Sequence, residues 1–155
     1  MGSGKSTVGG LVAGLAGCPL RDLDAMIEQQ VGRGIPEIFE RDGEAAFRNL
    51  EAALLPSALV GEVVVALGGG AALRDDSWRL VKERAVSVYL EAPLAVLLQR
   101  LGPGQGRPLL GGRSQEEVLL LFEERRPRYE QADHRVDAGG PPDMVAEEVL
   151  TLWRG

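Results

Sequence analysis

The stretch Gly2-Ser3-Gly4-Lys5-Ser6-Thr7 decides the fold of this 155-residue chain. Its segment Gly4-Lys5-Ser6 matches the last three fixed positions of the phosphate-binding pattern GxxxxGK[ST], which connects a buried strand to a helix. The first fixed glycine of that pattern, and the strand leading into it, would precede Met1. An apolar segment with helical spacing follows at once, at Val8, Leu11, Val12 and Leu15.

The chemistry of this stretch favours a nucleotide site. Glycines allow backbone N–H groups to turn toward phosphate oxygens, and the following helix adds the positive end of its dipole. In such a loop Lys5 bridges the terminal phosphates and the Ser6 hydroxyl ligates Mg²⁺. The alternative is a flexible Gly/Ser tail, but the helical pattern directly after it favours the phosphate loop.

Length and composition predict one domain, residues 1–155, with a substantial core. The net charge of −6 argues against nucleic-acid and membrane surfaces as partners. Cys18 is the only cysteine, which excludes disulfide frameworks and cysteine-rich zinc sites. No stretch is typical of a membrane span or a signal peptide. We therefore expect a monomeric cytoplasmic protein.

Helical and extended patterns alternate along the chain, which predicts an α/β fold with a central parallel sheet. The predicted helices cover 7–16, 25–31, 36–41, 44–59, 76–83, 93–101, 114–126 and 144–153. The predicted strands cover 19–22, 62–67, 86–90 and 135–137.

Two aspartates, Asp22 and Asp24, are predicted at the end of the first strand of this sheet. Strand ends are where ligands of α/β proteins bind, so one carboxylate could face Mg²⁺ and the other a substrate hydroxyl. The alternative is a helix N-cap with a solvated partner, and the two aspartates alone do not decide between them.

Two further features indicate a ligand site. Arg48 and Glu51 are three residues apart on one predicted helix, so the carboxylate can orient the guanidinium, although surface pairs of this kind are common. Gly68–Gly70 follows an apolar strand and suits a place where a ligand contacts backbone N–H groups. A loose loop is the alternative for these glycines.

Arginines in the second half of the chain suggest further anion contacts. Arg107 lies in a glycine-bounded segment, about 102–114, that is typical of a closing lid. The cluster Arg125, Arg126 and Arg128 suggests an anion site, with a solvated helix face as the alternative.

Taken in order, these motifs closely resemble shikimate kinase over essentially the whole chain. They are GSGKST at 2–7, DLD at 22–24, FRNLE at 47–51, GGG at 68–70, RPLL at 107–110 and RxPxY at 125–129. The resemblance implies a three-layer α/β/α P-loop kinase fold with a five-stranded parallel sheet. It also implies ATP-dependent phosphorylation of the shikimate 3-hydroxyl, with ATP and shikimate as ligands and Mg²⁺ as the metal.

The resemblance also implies roles for individual residues. Catalysis would involve Lys5, Asp24 and Arg107. Nucleotide contacts would come from Gly2, Ser3, Gly4, Lys5, Ser6, Thr7, Arg100 and Arg107. Ser6 and Asp22 would hold the metal. Shikimate would contact Asp24, Phe39, Phe47, Arg48, Gly69, Gly70 and Arg125, and the helices of residues 25–60 would carry much of that site.

Two departures from the family qualify this expectation. The segment 138–142 reads Ala-Gly-Gly-Pro-Pro, where the family often has an arginine that grips adenine. The first strand of the family is not in the sequence, which predicts low stability and poor activity unless added upstream residues fill its place. The alternatives are a non-catalytic ligand-binding form and a kinase for another small molecule, such as gluconate or a nucleoside monophosphate.

Overall fold

The computed structural model describes residues 2–101 and 114–154, apart from the side chain of Leu101. The helices are α1 Lys5–Ala16, α2 Leu23–Val31, α3 Ile35–Ala58, α4 Asp75–Arg84, α5 Leu94–Leu101, α6 Gln115–Tyr129 and α7 Pro142–Arg154. The strands are β1 Leu20–Asp22, β2 Val64–Ala66, β3 Val88–Glu91 and β4 His134–Asp137, and a 3₁₀ turn covers Ala71–Leu73. The predicted alternation of helix and strand is confirmed, with ends shifted by a few residues.

Helix α1 begins two residues earlier than predicted. Gly4 precedes it in the left-handed conformation, with φ 84°, and Gly17 ends it in the same conformation, with φ 71°. Lys5 and Ser6 therefore belong to the first helical turn, where backbone N–H groups have no intrahelical acceptor. Val8 and Val12 anchor the helix in the core, at 4% and 1% exposure. This start presents an anion-binding end of a helix.

Helix α2 begins at Leu23, two residues earlier than predicted, so Asp24 lies on the helix and not at the end of the strand. The strand β1 ends at Asp22, and Leu23 and Asp24 lie in the first turn of α2. Asp22 caps this helix, since its Oδ1 accepts from the backbone N–H of Asp24 at 3.0 Å and of Ala25 at 3.4 Å. The N-cap that the sequence left as an alternative is therefore formed.

Helix α3 contains the predicted break at Gly43, whose φ of 83° and ψ of 169° are not helical. A left-handed φ of this kind favours glycine. The helix changes direction at this break. Its second part contains Phe47, Glu51 and Leu55, whose side chains are buried in the core. Pro56 lies inside the helix and does not end it.

The four described strands pair in parallel, β1 with β2 and β3 with β4. Among the described residues the two pairs are not hydrogen-bonded to each other. A cavity of about 610 Å³ lies between them, with walls that include Val65 of β2, Leu90 of β3, Val12 of α1 and Val81 of α4. The parallel sheet is thus present as two separate pairs.

Two apolar cores hold the layers together. One joins α1 and α7 to the pair of β3 and β4, and the other joins α2, α3 and α4. Because β1 and β2 are parallel, the aspartates after β1 and the glycines after β2 lie at the same edge of the sheet. Within 2–101 and 114–154, no helix is both long enough and apolar enough to span a membrane.

Candidate active site

The phosphate loop and the end of β1 are joined by one hydrogen bond. The hydroxyl of Ser6 donates to Oδ2 of Asp22 at 2.6 Å. Since Oδ1 of Asp22 caps α2, both oxygens of this carboxylate are oriented by the fold. The first turn of α1 and the N-cap of α2 therefore hold two side-chain oxygens at a fixed separation.

This pair suits a magnesium ion that arrives with a nucleotide. Mg²⁺ prefers oxygen ligands and usually takes one or two from the protein, with phosphate oxygens and water completing its shell. The Ser6 hydroxyl and the Asp22 carboxylate have that chemistry. No group of three or more His, Cys, Asp or Glu side chains in the described part of the chain could hold a metal alone. The donor set fits Mg²⁺ bound to ATP.

Asp24 lies deeper at the same edge. Its burial raises the pKa of the carboxyl above the ordinary value, and the charge of Lys5 opposes part of that rise. Asp22 and Glu28 raise it further. A Cβ on Gly68 would lie 3.0 Å from Oδ1 of Asp24, so this carboxylate reaches the glycine segment after β2. Asp24 is thus between the phosphate loop and that segment.

Arg48 and Glu51 form the predicted pair on α3, and it is largely buried. Nη1 of Arg48 lies 2.6 Å from Oε2 of Glu51, whose side chain is 2% exposed. Nη2 of Arg48 also contacts Glu44 at 3.0 Å. Burial raises the pKa of Glu51, and the hydrogen bond from Arg48 counters part of the rise. Two carboxylates therefore fix the plane of one guanidinium.

The segment Gly68–Gly70, here called the glycine loop, fits closely against these side chains. A Cβ on Gly70 would lie 2.0 Å from Nη1 of Arg48, and one on Gly68 would lie 2.8 Å from Oε1 of Glu51. A side chain at either position would displace a charged group. Close approach, and not a special backbone angle, explains these glycines, since Gly70 has a right-handed conformation. The close contacts at Gly68 and Gly70 argue against the loose-loop alternative.

Helix α6 brings Arg125 to the same region. Its side chain is 4% exposed, and Nε has no hydrogen-bond partner among the described residues. Its charge lowers the pKa of Glu51, so it lies near the carboxylate that Arg48 contacts. The other two arginines of the cluster are on the surface, paired with carboxylates: Arg126 with Glu130 at 2.9 Å, and Arg128 with Asp75.

The expected anion site of three arginines is therefore wrong for Arg126 and Arg128. The carboxylates of Glu130 and Asp75 already neutralise the charges of these two arginines. The rings of Phe39 and Phe47, both expected to contact shikimate, lie 4.8 Å apart, and Arg48 lies 5.3 Å from the Phe47 ring.

A second cavity, of about 280 Å³, lies beside the phosphate loop. It is lined by Gly2, Ser3, Gly4, Thr7, Val8, Arg100, Ala138, Gly140, Pro142 and Val145. Arg100 donates to the carbonyl of Ala138 at 2.8 Å and to that of Gly140 at 3.3 Å. Its guanidinium is thus tied to the loop after β4, beside the place expected for adenine. Arg107 and residues 102–113 of the predicted lid lie outside the described residues.

Two further contributors belong to the quoted motifs GGG and RxPxY, although no individual role was predicted for them. Gly68 fits against Asp24 and Glu51, and Tyr129 donates from its hydroxyl to the carbonyl of Gly69 at 2.5 Å. The spacing of four residues between Arg125 and Tyr129 on one helix was the available signal for Tyr129.

The site combines a phosphate loop at the start of α1, carboxylates at the edge of the parallel strands and the buried Arg48–Glu51 pair. These features define a small-molecule kinase of the P-loop α/β class. The family model for shikimate kinase matches residues 1–153, and the chain belongs to this family. The shikimate kinase of Gloeobacter violaceus is 47% identical over 97% of this chain and 86% of its own length. That of Aquifex aeolicus is 39% identical over 100% and 92%.

Solved structures agree with the family. The shikimate kinase of Acinetobacter baumannii, solved in complex with shikimate, has a TM-score of 0.94 at 34% identity. The match covers 99% of this chain and 88% of that one. The Aquifex aeolicus enzyme has a TM-score of 0.88 at 38% identity, over 100% and 92%. The predicted α/β P-loop kinase fold is confirmed.

Proposed function

We propose that this protein transfers the γ-phosphoryl group of ATP to the 3-hydroxyl of shikimate. The observation that carries the proposal is the buried Arg48–Glu51 pair, which lies against the glycine loop at the edge that also holds Asp24. A guanidinium held by a buried carboxylate is pre-oriented for the carboxylate of an acidic substrate. The family membership supplies shikimate as that substrate.

On the substrate side, Arg48 and Arg125 would bind the shikimate carboxylate from α3 and α6. The nearly complete burial of Arg125 and its unpartnered Nε support this role, because a buried cation favours an anionic ligand. Gly69 and Gly70 would present backbone groups to the substrate hydroxyls, and Phe39 and Phe47 would exclude water from one side. Helices within residues 25–60 would thus form most of the shikimate site.

Asp24 would accept a hydrogen bond from the reacting hydroxyl. Its raised pKa makes it a better proton acceptor than an ordinary aspartate. The loose transition state of phosphoryl transfer does not require the alcohol to ionise in advance, so orientation is the main task of this carboxylate. The charge of Lys5 lowers the pKa of Asp24, so the ammonium would act on both the phosphates and the reacting hydroxyl.

On the nucleotide side, backbone groups of Gly2–Thr7 and the Lys5 ammonium would hold the phosphates. Ser6 would ligate Mg²⁺ directly and Asp22 would hold it through water. The ion would neutralise phosphate charge when bound. Arg100 and the loop after β4 would border the adenine, and Arg107 would contact the phosphates from the lid.

The monomeric state and the cytoplasmic location stay predictions.

The test is ADP release measured with ATP, Mg²⁺ and one candidate acceptor at a time. We expect release that requires shikimate and is at least tenfold slower with gluconate or a nucleoside monophosphate. If ADP were released faster with gluconate or a nucleoside monophosphate than with shikimate, that acceptor would be the substrate and the proposal would be wrong. Calorimetric binding of shikimate and ADP without turnover would identify a non-catalytic form.

A further inference from the structure

The glycine loop is held by a side chain from a distant part of the chain. Tyr129, the last residue of α6, donates from its hydroxyl to the carbonyl of Gly69 at 2.5 Å, across 60 positions of sequence. This contact crosses from one element of the site to another. It connects the helix that carries Arg125 to the loop that packs against Arg48.

The position of the glycine loop matters to several groups at once. The backbone at Gly70 lies so close to Arg48 that no side-chain atom would fit between them. The backbone at Gly68 is similarly close to Glu51 and Asp24. A shift of the loop by a fraction of an ångström would therefore move the guanidinium or change the space above the carboxylates. On its other side the glycine loop borders the cavity of about 610 Å³, which Gly68, Gly69 and Tyr129 line, so packing there does not hold the loop in place.

Tyr129 and Arg125 are four residues apart on α6, so they lie on one face of the helix. A bond from Tyr129 to the loop thus also sets the distance between Arg125 and the loop. Arg125 is the second cation beside Glu51. The hydroxyl therefore links α6, which carries Arg125, to the loop that packs against Arg48.

We propose that Tyr129 is a positioning residue, whose hydroxyl holds the glycine loop against Arg48 and Arg125 and so determines the affinity for the acidic substrate. The proposal rests on the proposed function, since shikimate is the acid in question. Burial raises the pKa of Tyr129, so the hydroxyl stays a donor through neutral and mildly alkaline pH.

The ring of Tyr129 is held independently of its hydroxyl. It packs against the ring of Tyr89 on β3, with centroids 5.6 Å apart and planes tilted by 36°. A phenylalanine at position 129 would keep this packing and lose the contacts of the hydroxyl with the carbonyl of Gly69 and with Arg125. Tyr89 offers a matched control, because its hydroxyl is buried without a partner among the described residues.

The experiment compares Tyr129→Phe and Tyr89→Phe with the wild-type chain. We expect Tyr129→Phe to raise the KM for shikimate about fivefold, as for the loss of one hydrogen bond, with the KM for ATP within twofold. Calorimetry with shikimate alone should show the same weakening of Kd. Tyr89→Phe should change none of these values by more than twofold.

Two results would overturn the role of Tyr129. One is a shikimate KM and Kd within twofold of wild type in Tyr129→Phe. The other is an equal rise of both KM values, which a general loosening of the fold would produce. Wild-type chain that neither binds nor phosphorylates shikimate would instead overturn the proposed function, and this proposal with it.

Discussion

The two halves of the proposed active site are built differently. The shikimate half consists of charged side chains that hold one another, with Arg48 between Glu44 and Glu51 and the glycine loop packed against them. The nucleotide half consists mainly of backbone: the first turn of α1, and the carbonyls of Ala138 and Gly140 that accept from Arg100.

This difference predicts unequal sensitivity to substitution. A buried charge that loses its partner costs several kcal/mol, and a neighbouring side chain cannot replace it. Backbone N–H and carbonyl groups, in contrast, remain when a side chain changes. We therefore expect substitutions in the shikimate half to have the larger effects, and the following experiments measure that difference.

The largest effect is expected for Arg48→Ala. The change removes the proposed carboxylate ligand and leaves Glu51, at 2% exposure, without its 2.6 Å donor. We expect kcat/KM for shikimate to fall about 10³-fold and the free energy of unfolding to fall by about 3 kcal/mol. Steady-state kinetics and denaturant unfolding measure the two changes.

A second variant separates the two losses. Adding Glu51→Gln to Arg48→Ala removes the buried charge, so it should restore much of the stability and none of the activity. Near wild-type kinetics in Arg48→Ala would show that the guanidinium does not bind the substrate.

The next effect concerns pH and Asp24. Because burial raises the pKa of this carboxyl above 3.8, kcat/KM should fall with decreasing pH at a higher pH than for an ordinary aspartate. The same shift means that folding favours the protonated form, so Asp24 contributes less to stability as pH rises through its pKa.

Asp24→Asn should lower kcat/KM about 10²-fold and lose this acid limb. An unchanged acid limb in the variant would assign it to another group.

A smaller effect is expected for Gly70→Ala. The added Cβ would lie 2.0 Å from Nη1 of Arg48, and Glu44 and Glu51 restrict how the guanidinium can move away. We expect the KM for shikimate to rise about tenfold.

Gly14→Ala on the exposed side of α1 is the control, since a Cβ there meets no described atom within 4 Å. It should leave KM unchanged and stabilise the helix by about 0.5–1 kcal/mol. Equal kinetics for both variants would contradict the close fit at Gly70.

Local spacing predicted much of this molecule. The i, i+3 positions of Arg48 and Glu51 place them on one helix face, and the same spacing of Ser114 and Glu117 permits the capping box that begins α6. The glycine break at Gly43 was also readable, since few other residues adopt its backbone angles. These features depend on neighbours along the chain, which a sequence displays directly.

Contacts between distant elements could not be predicted in this way. The pairing of Arg128 with Asp75 joins positions 53 residues apart, and Tyr129 bonds to Gly69 across 60. Asp22 both caps α2 and accepts from Ser6, and the contact with Ser6 depends on how α1 packs beside β1. Such facts follow from tertiary packing and not from spacing.

The smallest effects are expected in the nucleotide half. Arg100→Ala removes the donor to Ala138 and Gly140, which frees the loop after β4. Because the phosphates keep their backbone donors, we expect the KM for ATP to rise only about fivefold and the KM for shikimate to stay within twofold. Gly14→Ala, which lines neither cavity and whose Cβ would meet no described atom within 4 Å, should change neither value by more than twofold. If Arg100→Ala raised the KM for shikimate as much as that for ATP, the two halves would be coupled through this arginine, and the contrast between them would be wrong.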